Sequence, residues 1–237
     1  MKKQTLTKYY IYGKHACEAA FLNKSRQIHK IFSTANNSEI IPTKFRSLIE
    51  IVDIKEFFRF LPEDSVHQGI AILSSPLENK FLEHAKFSEN STLAILDQIT
   101  DPHNFGAILR NAAAFGVEGI IIPNDHSPPE NGIVAKASSG ALETVPIYNV
   151  VNISNTMNFL KKSGFWIIGL DGSAKEYISK KALSGKSCLV LGSEGKGLRR
   201  LTKENCDVIL KIPIDPRMES LNVSVASAIA FYESYKA

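Results

Sequence analysis

Apolar and polar positions in the first third of the chain come in short runs of two kinds. Tyr9-Tyr10-Ile11-Tyr12 is aromatic and β-branched and is broken by Gly13, which predicts a strand and a turn. Residues 14–22 put Ala16, Ala19 and Ala20 on one face, a helical spacing. Strands are expected at 28–32, 49–52 and 69–73, with a short helix at 55–61 that Pro62 stops. Ser74-Ser75-Pro76 closes this small α/β unit. Residues 77–90, rich in Glu, Lys and Asn, read as a partly helical linker. From residue 91 onward strands and helices alternate regularly. Strands are expected at 93–96, 119–122, 145–147, 165–170, 188–191 and 208–212, and helices at 104–115, 133–139, 154–162 and 222–235. Several of the strands are continuous apolar runs, as in a parallel sheet covered by helices on both faces. Trp166 falls in one of these strands and reads as core.

Composition narrows the class. With 237 residues, 44% apolar and 22% charged, the chain is neither a disordered tail nor a fibrous repeat. No apolar run approaches the ~20 residues that span a bilayer. The basic start, Met1-Lys2-Lys3, is followed by no apolar segment, so no secretory signal is expected. Cys17, Cys188 and Cys206 form no CxxC pair, which suits a reducing cytoplasm. The net charge is +4, and it is uneven: residues 1–75 hold eleven Lys/Arg against seven Asp/Glu. A basic excess there fits attraction to phosphates as well as ordinary solubility. The six histidines show no metal-ligand spacing, and no G-x-S-x-G elbow is present, so neither a metal site nor a serine hydrolase is expected.

Three segments carry more polar residues and glycines than packing requires. The first, Asp101-Pro102-His103-Asn104-Phe105-Gly106-Ala107-Ile108-Leu109-Arg110-Asn111, follows the strand at 93–96. Asn104 reads as a helix cap, and Arg110 lies off the stripe formed by Ile108, Leu109, Ala112 and Phe115. An exposed helix arginine is the bland reading. His103, Asn104 and Arg110 gathered beyond the carboxyl end of a parallel strand make a better site candidate. The second segment, Leu189-Val190-Leu191-Gly192-Ser193-Glu194-Gly195-Lys196-Gly197-Leu198, runs a strand into a loop with three glycines. Its G-x-x-G-x-G order matches neither the dinucleotide fingerprint nor the phosphate loop, which leaves a nucleoside-sized ligand or a plain tight turn. A carboxylate in it, Glu194, is placed to orient the loop, accept from a ribose or meet a partner. The third segment runs from Ile212 through Pro213, Asp215, Met218 and Ser220 to Ala226. Ser220 or Asn222 caps the helix behind it, whose Ser224, Ala226, Ser227, Ala228 and Ala230 permit close approach of its own sheet or of a second subunit.

Taken together, these segments resemble the three motifs of the SpoU (TrmH) RNA 2′-O-ribose methyltransferases, in order, across residues 91–237. YGKHACEAAF and HQGIAILSSP in the first third resemble the family's substrate-binding domain. The resemblance implies an α/β fold of SPOUT type: a parallel-sheet methyltransferase domain with a trefoil knot at 91–237. It also implies a small ribosomal-protein-like RNA-binding domain at 1–75, joined by a linker at 76–90. S-adenosylmethionine is the implied cofactor, RNA the partner, and a homodimer the assembly. Carried over by motif, Gly192, Ile212 and Leu221 line the cofactor, with Leu191, Gly195 and Met218 nearby. Asn104, Arg110, Glu194, Ser220 and Asn222 form the functional polar set, and Lys14 and His15 are candidate RNA contacts. The family gives Arg110 the base role, although an arginine ordinarily keeps its proton; holding the hydroxyl and stabilising the alkoxide is the alternative. The acidic, proline-containing loop 215–219 departs from the small-residue loop of many members. The implied reaction is ribose methylation of a guanosine in 23S rRNA. A tRNA methyltransferase and a non-catalytic RNA-binding ribosome-assembly protein are the alternatives.

Overall fold

The structure, a computed structural model, describes residues 8–193, 195 and 197–235. Contacts divide the chain into two units, Met1–Glu78 with Pro129–Thr144, and Asn79–Pro128 with Val145–Ala237.

The first unit contains β1 (Tyr9–Tyr12), α1 (Lys14–Leu22), β2 (Ile28–Ser33), β3 (Ile49–Ile51) and β4 (Ile70–Ser74). The sheet order is β1-β4-β2-β3, with β4 antiparallel to both neighbours and β3 parallel to β2. Alternation along the strands makes two apolar faces. Ile11, Ile31, Ile70 and Ile72 are fully buried on one, while Tyr12, Phe32, Phe57, Leu61 and Ala71 cluster on the other. The expected helix at 55–61 is a 3₁₀ segment, Ile54–Arg59, entered through a capping box of Asp53 and Glu56.

The second unit contributes β5 (Thr92–Asp97), α2 (Pro102–Ala114), β6 (Gly119–Pro123), then β7 (Ile147–Val150), α4 (Ile153–Lys162), β8 (Trp166–Leu170), β9 (Glu176–Tyr177), β10 (Ser187–Gly192), α5 (Arg200–Glu204), β11 (Val208–Lys211) and α6 (Val223–Ser234). The helix between β6 and β7, α3 (Gly132–Ala137), lies in the segment counted with the first unit and packs on β1. The seven strands run β7-β6-β5-β10-β8-β11-β9, with every pairing parallel. Leu93, Ile95, Ile121, Ile167, Cys188 and Val190 form the core, closed by Met157 and Leu160 of α4. None of the described helices is long and apolar enough to cross a membrane.

Four sequence expectations change. The segment read as a linker, 76–90, divides at Glu78, and its later part packs into the second unit: Leu82 is buried, and Phe87 lies edge-on to Tyr148 and Phe165. Polar neighbours hide those apolar residues in a composition count. Return of 129–144 to the first unit has no periodicity signal at all. The strand expected at 145–147 begins at Ile147, after Pro146, which has no N–H to give a ladder. Trp166 opens β8 at the sheet's lower rim and is 50% exposed.

Candidate functional site

The carboxyl ends of β8, β10 and β11 open into a cavity of about 500 Å³. Leu170 to Ser173, Leu191 to Ser193, Gly195, Gly197 and Lys203 line it, with Ile212, Ile214, Glu219 to Val223 and Ala226 from the far side. It lies wholly within the second unit. The placement follows from topology: parallel strands aim their chain exits the same way, and β10 is inserted between β5 and β8.

Gly192 ends β10, and the Gly197–Leu198 backbone folds directly onto the face where a Cβ would stand. The loop closes through Gly197 N–H donating to Ser193 O at 2.9 Å. Gly195 and Gly197 have φ of +77° and +64°, conformations open to glycine at little cost. So the glycines serve loop closure and leave bare backbone facing the cavity. Within the acidic loop 215–219, Asp215 is paired and Glu219 is left as its net charge. Arg217 Nε and Nη2 reach Asp215 at 2.9 and 3.0 Å, and these bonds hold the Asp215 carboxyl below its ordinary value.

Of the residues expected at the cofactor, Leu191, Gly192, Gly195, Ile212 and Leu221 line the cavity. Met218 does not; it is 59% exposed, on the turn closed by its own N–H to Asp215 O. Ser220 and Asn222 line the cavity too. Asn222 caps α6, its Oδ1 accepting from Ser224 N–H at 2.8 Å, and its Nδ2 donates to Asn104 Oδ1 at 3.1 Å. Asn104 is therefore a buried residue of the first turn of α2 rather than its cap. The cap is Asp101, which accepts from His103 N–H at 3.0 Å, with Pro102 at the first helical position. Arg110, farther along α2, is exposed. Glu194 lies outside the described residues. In the first unit Lys14 and His15 stand exposed at the start of α1.

Sequence reasoning missed Asp171, Ser173 and Lys203. Asp171 Oδ2 pairs with Lys203 Nζ at 2.6 Å, and its Oδ1 accepts from Ser173 N–H at 2.9 Å. Burial pushes the Asp171 carboxyl up, and the bonds from Lys203 and Ser173 together outweigh it, so it sits below its ordinary value. A polar residue just beyond the carboxyl end of an expected parallel strand was the available signal. Among the described lining residues Asp171 and Glu219 oppose one cation, Lys203, a balance that suits a positively charged ligand.

A model of the SpoU rRNA Methylase family matches residues 91–232, and one for RNA 2′-O ribose methyltransferase substrate binding matches residues 10–80. The 23S rRNA (guanosine-2′-O-)-methyltransferase RlmB of Vibrio vulnificus is 37% identical over 250 residues, covering 96% of this chain and 96% of that protein. Among solved structures, the SpoU methyltransferase AviRb from Streptomyces viridochromogenes in complex with AdoMet superposes with a TM-score of 0.79 at 17% identity, over 96% of this chain and 89% of that one. An AdoMet-bound rRNA methyltransferase from Sinorhizobium meliloti gives 0.80 at 20%, over 96% and 86%. At these identities the structural likeness is one of fold.

Proposed function

This chain belongs to the SpoU rRNA methylase family, and from that premise we propose that it methylates the ribose 2′-hydroxyl of a guanosine in 23S rRNA, using S-adenosylmethionine. The observation that carries this reading is one cavity walled by the glycine loop after β10 and the loop before α6, tied to α2 by the Asn222–Asn104 hydrogen bond. Likeness to the RlmB relative extends over both units, including the segment matched as substrate binding, which supports rRNA over tRNA.

The cavity fits the cofactor on its own terms. Its size lies in the usual range for small-molecule sites, its walls combine bare backbone with Leu191, Ile212, Ile214 and Leu221, and its carboxylates favour a cation. Gly192, Ile212 and Leu221, with Leu191 and Gly195, would hold it. When bound, S-adenosylmethionine supplies an electrophilic methyl group on a sulfonium. What remains for the protein is orientation and the proton on a weakly acidic hydroxyl. Arg110 is assigned to that hydroxyl, Asn104, Ser220 and Asn222 to placing the loops around it, and Glu194 to the ordering of its loop.

Residues 1–75 are assigned to RNA selection, with Lys14 and His15 as contacts, and 91–237 to catalysis. The enzyme is a cytoplasmic homodimer in this reading, supported by its rRNA substrate and by the exposed Val225, Tyr232 and Tyr235 of the C-terminal helix region. The trefoil knot belongs to the proposal as well; insertion of β10 between β5 and β8, with α6 returning to pack on α2, supports it.

The test is incorporation of tritiated methyl into total RNA from a strain lacking the protein. Label at one guanosine ribose of 23S rRNA is expected. Label in tRNA alone would move the enzyme to the tRNA group, and no label in any RNA would leave a non-catalytic binding protein.

A further inference from the structure

Asp97 is the last residue of β5 and stands in register opposite Gly192, the last residue of β10. Its side chain is completely buried, yet it is absent from the cavity lining. Two hydrogen bonds, both to Oδ2, and one ion-pair contact converge on it, and the buried Oδ1 accepts no hydrogen bond among the described residues. Arg199 Nη2 lies 2.7 Å from Oδ1 and Arg199 Nε 3.0 Å from Oδ2, while the Thr202 hydroxyl donates to Oδ2 at 2.6 Å. The two residues bracket the start of α5, for which Arg199 is the N-cap residue with no side-chain cap of its own. Directly before Arg199 comes Leu198, buried in the core, and before it Gly197, whose backbone lies on Gly192. The chain thus links the carboxylate to the cavity: Asp97 fixes Arg199 and Thr202, these fix the start of α5, and that start fixes where the glycine loop after β10 ends. The next residue, Lys203, reaches Asp171 on the cavity wall.

A buried carboxylate–guanidinium pair contributes little net stability, because desolvation offsets most of the attraction. What it supplies is geometry: the charge-assisted bonds from Arg199 Nε and the Thr202 hydroxyl meet at Oδ2 and hold the start of α5 against the end of β5. We infer that Asp97 is a positioning residue for the cofactor cavity, acting through Arg199 and Thr202 to hold the glycine loop closed on Gly192. This inference rests on the methyltransferase reading above.

Calorimetric titration of S-adenosylmethionine into the full-length protein tests it, alongside filter binding of a 23S rRNA fragment. Thr202→Val removes one bond and Arg199→Lys removes the Nε bond while keeping the charge; each should weaken cofactor binding roughly tenfold, the worth of one charge-assisted hydrogen bond. In turnover the change should appear in the cofactor KM more than in kcat, RNA binding should hold, and Thr202→Ser should restore wild-type affinity. A merely structural role would lower thermal stability without that split or that rescue. Asp97→Asn should match the combined loss; if it fails to fold, Arg199→Lys, at the half-exposed end of the network, and the near-isosteric Thr202→Val still decide. Wild-type affinity in both variants would overturn the inference. So would loss of RNA binding with unchanged cofactor affinity, since Arg199 would then serve the RNA through its exposed edge. Failure of the wild-type protein to bind S-adenosylmethionine would instead overturn the methyltransferase reading.

Discussion

Asn222 donates from Nδ2 to Asn104 Oδ1 at 3.1 Å, although the two lie 118 residues apart. The same side chain accepts from Ser224 N–H and from the Ser224 hydroxyl, at 2.8 and 2.6 Å. One residue therefore starts α6, lines the cavity and holds the first turn of α2. Farther along the two helices, Asn111 Nδ2 donates to Ser224 O and Ser227 Oγ at 2.8 and 3.0 Å.

Cap and tie can be separated by substitution. Asn222→Ala should lose both, lowering stability by ~1 kcal/mol, the usual worth of an N-cap. Asn222→Ser keeps a capping hydroxyl but is too short to hold Asn104. Its thermal midpoint should stay near wild type while methyl transfer falls at least tenfold; equal turnover by the serine variant would leave the tie without functional weight.

Arg26 anchors the first unit. Its side chain is wholly buried, with Nη1 2.6 Å from Glu130, Nη2 2.7 Å from Glu143 and a bond of 2.8 Å to Ser75 O. These bonds fasten the returning segment, Pro129–Thr144, to the N-terminal sheet. Arg26→Met would leave two carboxylates facing each other without a counter-charge, so a loss of about 3–5 kcal/mol is expected in urea unfolding. Replacing Glu130 and Glu143 with leucine in the same chain should recover much of it.

His67 makes the same unit acid-sensitive. It stacks on Phe57 with ring centroids 4.2 Å apart, and its Nδ1 accepts from Gly69 N–H at 3.1 Å. Burial and then the nearby Lys136 hold its pKa below the ordinary value. The folded value is therefore below the unfolded one. Stability is fully present above the unfolded pKa, ~6.5, and drains as pH falls from there through the folded pKa. The gap between unfolding midpoints at pH 7.5 and 5.5 should be smaller in His67→Gln, which keeps an acceptor and cannot titrate, than in wild type, with His29, also held below its ordinary value, supplying part of what remains.

Resemblance to the family's motifs named Leu191, Gly192, Ile212 and Leu221, and all four line one cavity; the apolar strand runs had already placed the first three at the carboxyl edge of the sheet. Short-range pattern also placed α1 on its observed bounds, Lys14–Leu22. What it could not carry was partnership across the chain. Asp97 reads as the polar end of a strand until Arg199 and Thr202, more than 100 residues later, fold onto it. Leu82 and Phe87 look solvated among Glu and Lys until Tyr148 and Phe165 cover them. Asn104 reads as a cap by its residue type, and Asp101 takes that role because Pro102 sets the first helical position.

On α6, Ser227 packs within its own chain while Tyr232 stands exposed. Ser227 is fully buried against Asn111 in its own chain, so Ser227→Trp should destabilise the protomer by ~1–3 kcal/mol through overpacking. Tyr232 is 58% exposed, with Phe115 beside it at 5.8 Å between ring centroids. Tyr232→Asp should leave the protomer folded and split the proposed dimer, read as a halved mass in light scattering. A wild-type protein of monomer mass with full activity would remove the dimer from the reading.

Arg110 is exposed on α2, six residues beyond the buried Asn104 that Asn222 holds. An exposed guanidinium on a helix whose start is fixed by buried bonds is well placed to meet RNA. Two roles fit it: accepting the ribose proton, or holding the hydroxyl and a phosphate while negative charge develops on oxygen. Arg110→Ala should abolish turnover under either role, by about a hundredfold or more, as losses of proton-transfer or oxyanion-stabilising groups do. S-adenosylmethionine affinity should be unchanged in calorimetry. Arg110→Lys separates the roles. A lysine, with an ordinary pKa of ~10.4, gives up its proton more readily but lacks the planar fork. Turnover rising steeply with pH in Arg110→Lys would identify proton acceptance. Near-total loss at every pH would identify bidentate positioning. Near wild-type turnover in Arg110→Ala would take the residue out of the chemistry altogether.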